Sequence, residues 1–416
     1  MCKEKLPVLK EVKSKEIITD KTKSINLIIE GDNYHALSDL NYTHKGKVDV
    51  IYIDPPYNTG SKSWKYNNNY VEKDDAYKHS KWLNMMEKRL RLAKNLLSSK
   101  GIIFVAIDDY EIHTVRCLLD DIFKEENRLG NIVVIHNPGG RDDDRFIATT
   151  HEYMLVYSRN VDEANLKLMN LTENQITEYK LKDNISKYKL QSFTRTGSNS
   201  RPEERPKLYY PIYFNPKDDE LSLSKKSNDY KEIFPIDGKG NKRVWRWGKE
   251  TFDKNRKTEF IVTKFKSKYI IKVKKRLTYS DDEGSKTKSF WFNPKYNAST
   301  YGTLLLEEIL NKSKTFSYPK SLFTVKDAIY LASSNKSIIL DFFAGSGTTG
   351  HAVLELNKED GGTRKFILCT NNEVGIRDEQ RFKNKYNITE SKFKEWQKEN
   401  KQQWINWCNT YGICAS

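Results

Sequence analysis

The chain has 416 residues, 37% of them hydrophobic, and its 72 Lys and Arg outnumber 56 Asp and Glu to give a formal net charge of +16. Five cysteines (Cys2, Cys117, Cys369, Cys408, Cys414) without a CxxC or a His at ligand spacing argue against a zinc site and a disulfide scaffold, so no metal is expected. No run approaches 18 apolar residues and the N-terminus lacks a hydrophobic signal core, so the expectation is a soluble, cytoplasmic protein without a membrane partner. The positive field suits a polyanion, although lysine-rich coding alone would also produce it.

Residues 1–24 are charged and aperiodic and read as an N-terminal arm. An α/β pattern then fills 25–160. Asn26–Glu30 and Val48–Ile53 predict short strands. Trp82, Leu83, Met86, Leu90, Ala93 and Leu97 recur at helical spacing. Ile102–Ile107 is an unbroken apolar run, suited to a strand buried on both faces. Asp108 and Glu111, just ahead of Ile112, Val115, Leu118, Leu119 and Ile122, read as a capping box that opens a second helix. Ile132–Ile135 and Tyr153–Tyr157 follow as strands. In His151-Glu152-Tyr153, neighbours on a strand point to opposite faces, so a shared ligand is not expected and the role is structural.

From 161 to 315 the alternation disappears. Short β-like stretches (Glu259–Thr263, Tyr269–Val273) lie among Lys, Asn, Ser and Tyr. Arg201–Tyr213 and Val244–Trp247 mix Arg with aromatics that suit either a core or nucleic-acid contacts. This segment reads as a domain inserted into the first. The α/β pattern returns over 316–373, with strand Ser337–Asp341, loop Phe342–Gly347, a helix near Thr348–Asn357 and strand Lys365–Cys369. Residues 374–416 read as a charged tail, helical in part, with Trp396, Trp404 and Trp407.

Two motifs carry chemistry. Asp54-Pro55-Pro56-Tyr57 follows a predicted strand, where ligands bind in open α/β sheets. The prolines stiffen the loop and remove two donors. A carboxylate and a rigid carbonyl can together accept both hydrogens of an aromatic amine, and Tyr57 can stack on its ring. The same four residues would also suit a plain turn. The second motif, Asp341-Phe342-Phe343-Ala344-Gly345-Ser346-Gly347-Thr348, joins a strand to a helix, where glycines let the backbone approach a nucleotide-like ligand. It lacks the Lys of a Walker A loop. Gly345, Gly347 and Gly350 match GxGxxG literally, so a nicotinamide oxidoreductase is a rival, one that leaves the first motif unexplained.

Together, DPPYNTG and DFFAGSGTT resemble the amino-methyltransferases of DNA, in the permuted order of their β group. IIEGDNYHAL, SKWLNMMEKRLRLAKNLL, HEYMLVYSRN and EIFPIDGKGNKRVWRW are similar to the modification (Mod) subunits of type III restriction–modification systems, over roughly residues 24–373. The chain resembles those subunits shortened at the C-terminus. The resemblance implies a Rossmann-like class I methyltransferase fold, circularly permuted, with an inserted target-recognition domain. It implies S-adenosyl-L-methionine as cofactor and N6 of adenine in double-stranded DNA as target. The partners it brings are a second copy of the chain and a restriction (Res) subunit. Asp54, Pro55, Pro56 and Tyr57 would hold the flipped adenine. Phe343, Ala344, Gly345, Gly347 and Thr348 would wrap the methionine end of the cofactor, with Asp341 near its amino group. Asp32 would contact its adenine and Lys320 would lie in the segment closing the pocket. Glu373 is the acidic candidate for the ribose, displaced from the usual place, which Thr370 and Asn371 fill. Plainer roles exist too: Asp32 can cap the helix that follows, and Lys320 can be a surface lysine. N4-cytosine methylation, or a DNA-binding specificity subunit inactive without a partner, are the alternative functions.

Overall fold

The predicted strands pair into one sheet. In the computed structural model, residues 8–18, 25–59, 61–66, 69–72, 74–141, 144–169, 176–265, 268–277, 284–313, 316, 318–371 and 376–400 are described. They divide into a larger unit (1–167 with 287–416) and a smaller one (168–286).

The larger unit is built on eight strands: β1 (Leu27–Glu30), β2 (Val48–Ile53), β3 (Leu97–Ile107), β4 (Arg128–Ile135), β5 (His151–Ser158), β6 (Phe290–Trp291), β7 (Ile338–Asp341) and β8 (Lys365–Thr370). Their order across the sheet is β1-β8-β7-β2-β3-β5-β4-β6. All neighbouring pairs are parallel except those that β5 makes with β3 and β4. Val48, Val50, Ile51 and Ile53, and every residue from Ile102 to Ile107, are buried, as a strand covered on both faces requires.

Helices α1 (Asn33–Thr43), α2 (Lys78–Leu96) and α3 (Ile112–Phe123) cover one face. Leu37, Leu40, Trp82, Met86, Leu90, Val115 and Leu119 meet Ile51, Ile53, Ile103, Val105 and Ile107 in one core. Each such side chain contributes roughly 1.5–3 kcal/mol by leaving water. Helices α4 (Leu322–Ala332) and α5 (Thr348–Asp360) pack on each other, and α4 lies against β2 and β3. The other face of those strands, with Val50, Tyr52, Ile102 and Phe104, is equally buried. In the tail, α6 (Ile376–Tyr386) and α7 (Glu390–Glu399) pair through Phe382, Tyr386 and Trp396; Trp404 and Trp407 lie outside the described residues. This is the expected Rossmann-like α/β architecture.

The order has a functional consequence. From β7 the chain continues to β8 on one side, whereas from β2 it continues to β3 on the other. The sheet therefore opens a crevice at the carboxyl ends of β2 and β7, where α/β sheets bind ligands. Both chemical motifs start there. The permutation is visible as well: β8 runs beside β1, with Ile367 opposite Leu27 and Thr370 opposite Glu30.

Two expectations need correcting. Glu111 does not form a capping box with Asp108: Asp108 Oδ1 accepts the Tyr110 N–H at 3.0 Å, and the α3 N-cap, Glu111, makes no side-chain cap bond. Glu111 is drawn inward to other partners, described below. Residues 287–313 pack with the larger unit rather than with 168–286, because Phe290 and Trp291 pair with Val133 and Val134.

The smaller unit holds a three-stranded and a four-stranded antiparallel sheet. Its core gathers Phe193, Tyr210, Phe214, Trp245, Phe252 and Phe260. Trp245 stacks on Phe193 with centroids 5.1 Å apart and donates to Tyr210 O at 2.7 Å, while Trp247 meets Phe193 and Phe260 edge-on. The VWRW aromatics are thus core residues. Entry and exit of the chain are pinned together by reciprocal bonds between Met169 and Ser285 (2.8 and 2.9 Å). A Cβ on Gly284 would lie 2.2 Å from Met169 O, so only glycine allows this approach.

Candidate active site

The DPPY loop leaves β2 and is fastened at both ends. Trp82, fully buried on α2, donates its Nε1–H to Pro56 O at 2.7 Å. Asn58 adopts a left-handed conformation (φ 57°) and donates to Glu111 Oε1 at 2.5 Å. Glu111, also fully buried, is 2.6 Å from His79 Nδ1 and accepts from Thr114. Pro56 O is thus occupied, whereas no hydrogen bond reaches Pro55 O among the described residues.

Asp54 keeps 26% of its side chain exposed, but its Oδ1 is shut off from solvent and faces a charged partner. Lys320 Nζ lies 3.3 Å from that oxygen. Lys320 also pairs with Glu152 Oε2 at 2.5 Å, donates to the Tyr57 hydroxyl, and sits 4.5 Å from the Tyr57 ring centroid. The Tyr57 hydroxyl donates to Glu152 Oε2 at 3.0 Å. Lys320 is placed by the loop before α4, whose N-cap is Ser321. The π-helical turn Ser299–Leu304 brings Gly302 against this loop, where a Cβ would lie 2.4 Å from Pro319 O. Lys320 is therefore a buried ammonium held against the tetrapeptide, not a solvated surface lysine.

Burial sets the charges. It pushes the Asp54 carboxyl above the ordinary range, with Lys320 pulling the other way. Burial also opposes charge on Lys320, but Asp54 and Glu152 outweigh it and hold the ammonium's pKa up. Glu152 ends below the usual range, because Lys320 and His136 overcome its burial. Burial raises the Tyr57 phenol, so it stays protonated and can donate.

The second loop closes the other side of the crevice. Gly345 (φ 51°) and Gly347 (φ 81°) take left-handed backbone, which their lack of a Cβ permits. Gly347 is the N-cap of α5 and brings no side-chain cap, so the first N–H groups of α5 are left without a capping side chain. Ala344 N donates to Cys369 O at 3.1 Å, and Ser346 Oγ bonds to Thr348 Oγ1 at 2.9 Å. Phe343 packs at the edge of the core while Phe342 is fully buried. Gly350, third glycine of the literal GxGxxG, lets α5 approach β8: a Cβ there would sit 3.1 Å from Leu368 Cδ1.

Asp341 spends both oxygens on this loop, accepting from Phe343 N at 2.9 Å and Thr349 Oγ1 at 2.6 Å. Asp32 caps α1 through Tyr34 N and His35 N, yet stays 52% exposed and pairs with Arg89 at 3.1 Å. Arg89 also donates to Asn33, whose Nδ2 holds Phe342 O at 2.7 Å, so the GDN turn and the glycine loop are one connected wall. Glu373 lies outside the described residues.

The profile of a family described as DNA methylase matches residues 48–381. The chain belongs to this N6/N4 DNA methylase family. The type II methyltransferase M.KpnI of Klebsiella pneumoniae is 36% identical over 347 residues, covering 82% of this chain and 79% of its own length. The EcoPI Mod subunit of a type III restriction–modification enzyme, from Escherichia phage P1, is 32% identical and covers 84% of this chain. The StyLTI Mod subunit of Salmonella typhimurium is 30% identical. This chain spans 58% and 53% of the lengths of those two subunits. Among solved structures, the M1.HpyAVI–SAM complex covers 83% of the chain at 14% identity and a TM-score of 0.36.

In this DNA methylase Glu152, read from strand alternation as structural, is 3% exposed at the start of β5 and contacts Tyr57 and Lys320. Since β5 runs antiparallel to β3, its first residues lie where the parallel strands end. A carboxylate inside HEYMLVYS was the available signal, because a buried Glu requires a partner. Among the described residues no His, Cys, Asp and Glu cluster suits a metal, and no helix is long and apolar enough to cross a membrane.

Asp341 gives a pH prediction. Burial lifts its carboxyl from 3.8 to about 7. The folded state then binds the proton more tightly than the unfolded chain, so this group's stabilisation, full at low pH, is lost as pH rises toward 7. Asp341→Asn should therefore gain stability relative to the wild type between pH 5 and pH 8. Thermal melts at both values check this, and a difference that stays flat or reverses excludes it.

Proposed function

We propose that this methylase transfers a methyl group from S-adenosyl-L-methionine to N6 of adenine in double-stranded DNA. We place it as the modification component of a type III-like restriction–modification system. The observation that carries the reading is the placement of Asp54 in a stiff Pro-Pro loop at the end of β2, its solvent-shielded Oδ1 held 3.3 Å from Lys320 Nζ and, among the described residues, no hydrogen bond on the neighbouring Pro55 carbonyl.

The second loop fits the cofactor. The uncapped start of α5 suits a carboxylate, as helix N-termini do. The exposed carboxylate of Asp32 stands on the connected wall as an acceptor for a nucleoside. Gly345, Gly347 and Thr348 would wrap the amino-acid end, with Phe343 and Ala344 forming the floor. Asp341 would act by shaping this loop. When bound, the cofactor supplies a methyl group on a sulfonium sulfur, already activated for transfer.

The chain's own residues do the rest. Asp54 and Pro55 O accept the two N–H bonds of the target amine, which turns its lone pair out of conjugation with the ring and toward the methyl. Tyr57 stacks on the base. Fixing both reactants in line contributes up to about 7–11 kcal/mol of barrier lowering. Extruding the base from the duplex costs a few kcal/mol. Residues 168–286 serve as the target-recognition domain and offset that cost through phosphate and base contacts. A second copy of the chain and a restriction (Res) subunit are the proposed protein partners.

Mass spectrometry of nucleosides from duplex DNA incubated with the chain and cofactor tests this. N6-methyladenine is expected. N4-methylcytosine, or no methylated nucleoside, overturns the assignment.

A further inference from the structure

A buried carboxylate, Glu152, and a partly buried one, Asp54, compete for one ammonium in this site. Lys320 Nζ is 2.5 Å from Glu152 Oε2 but 3.3 Å from Asp54 Oδ1, so it leans toward Glu152. Glu152 is further anchored by the Tyr57 hydroxyl at 3.0 Å. Among the described residues the other basic group close to Glu152 is His136, whose Nδ1 is 4.0 Å away and whose charge burial disfavours. The close approach of Gly302 to Pro319 O fixes the backbone from which Lys320 reaches.

A buried ammonium beside a single carboxylate closes on it, since each group lacks water to stabilise it otherwise. Lys320 without Glu152 would pair fully with Asp54 and occupy the oxygen that the target amine must use. Taking the methyl transfer proposed above as its basis, we infer that Glu152 is a positioning residue that draws Lys320 away from Asp54. The Asp54 oxygen is thereby left with the longer and weaker of the two contacts, 3.3 Å against 2.5 Å, which an incoming amine can displace while the cation stays near enough to favour the carboxylate. The same contact orients Tyr57 by its hydroxyl. Two carboxylates and one ammonium also leave the site with a net negative charge, which suits the positive charge that develops on the amine as it is methylated.

The test compares single-turnover methyl transfer by wild type, Glu152→Gln, Lys320→Met and the double variant, with cofactor affinity measured by calorimetry. Glu152→Gln should be slowed on the order of 10²-fold at saturating DNA, with unchanged cofactor affinity. Removing Lys320 as well should restore activity about tenfold or more relative to Glu152→Gln, because the competing cation is gone. A merely structural Glu152 would give a double variant at least as impaired as the single one. If wild type is active and the double variant is no faster than Glu152→Gln, the inference falls while the functional reading stands. Wild type that forms no N6-methyladenine overturns both.

Discussion

Asp54→Ala should reduce methyl transfer to DNA by about 10³-fold or more while leaving cofactor binding intact. Removing one oriented electrostatic partner in a shielded site commonly costs about 10²–10³-fold. In the proposed mechanism the same side chain also turns the amine toward the methyl group. Its loss leaves the Pro55 carbonyl without its companion acceptor, and Lys320 keeps the Glu152 contact, 2.5 Å in the wild type. The glycine loop is held independently, by Ala344 N to Cys369 O and by the Asp341 bonds to Phe343 and Thr349. Cofactor affinity should accordingly survive. Tritiated-methyl transfer to duplex DNA, alongside calorimetric titration with cofactor, measures both. Transfer by Asp54→Ala at a wild-type rate would sink the proposed role of the tetrapeptide.

The largest stability effect is expected at Trp82. Its indole is fully buried in the core under β2, and its N–H holds Pro56 O at 2.7 Å. Trp82→Ala should cost about 3–5 kcal/mol, from lost burial and the cavity left behind. Trp82→Phe keeps most of the volume and removes the bond, so about 0.5–1.5 kcal/mol is expected from that loss. The two variants separate packing from loop anchoring. Methyl transfer by Trp82→Phe should fall more than its stability implies, because Pro56 then moves relative to Asp54. Urea unfolding and transfer rates on the same preparations check this; a fully active Trp82→Phe would show that Asn58 and Glu111 alone hold the loop.

The sheet was legible where sequence pattern and environment agree. Val48–Ile53 forms with the predicted ends because a parallel central strand must be apolar on both faces and a Pro-Pro pair must stop it. The helical stripe through Trp82, Met86 and Leu90 was equally plain, as only one face of α2 meets the sheet. Failures arose where long-range contacts decide. Glu111 had the spacing of a cap, but Asn58 and His79, distant in sequence, claim its carboxylate. Glu152 was set aside because alternation on a strand says nothing about which loops meet its end. Lys320 is buried by a turn around Gly302, and no local composition signals that approach. Phe290 and Trp291 form too short a strand to mark the return from the insert.

The paired residues Met169 and Ser285 carry a consequence for how such chains diversify. Because the two crossings lie side by side, the chain between them starts and ends at one antiparallel bridge. A tight turn could bridge those positions without disturbing the order of the catalytic sheet. Recombination at two short sites can then graft a different smaller unit onto an unchanged sheet. Gly284, where any side chain would strike Met169 O, is the residue such a graft must retain.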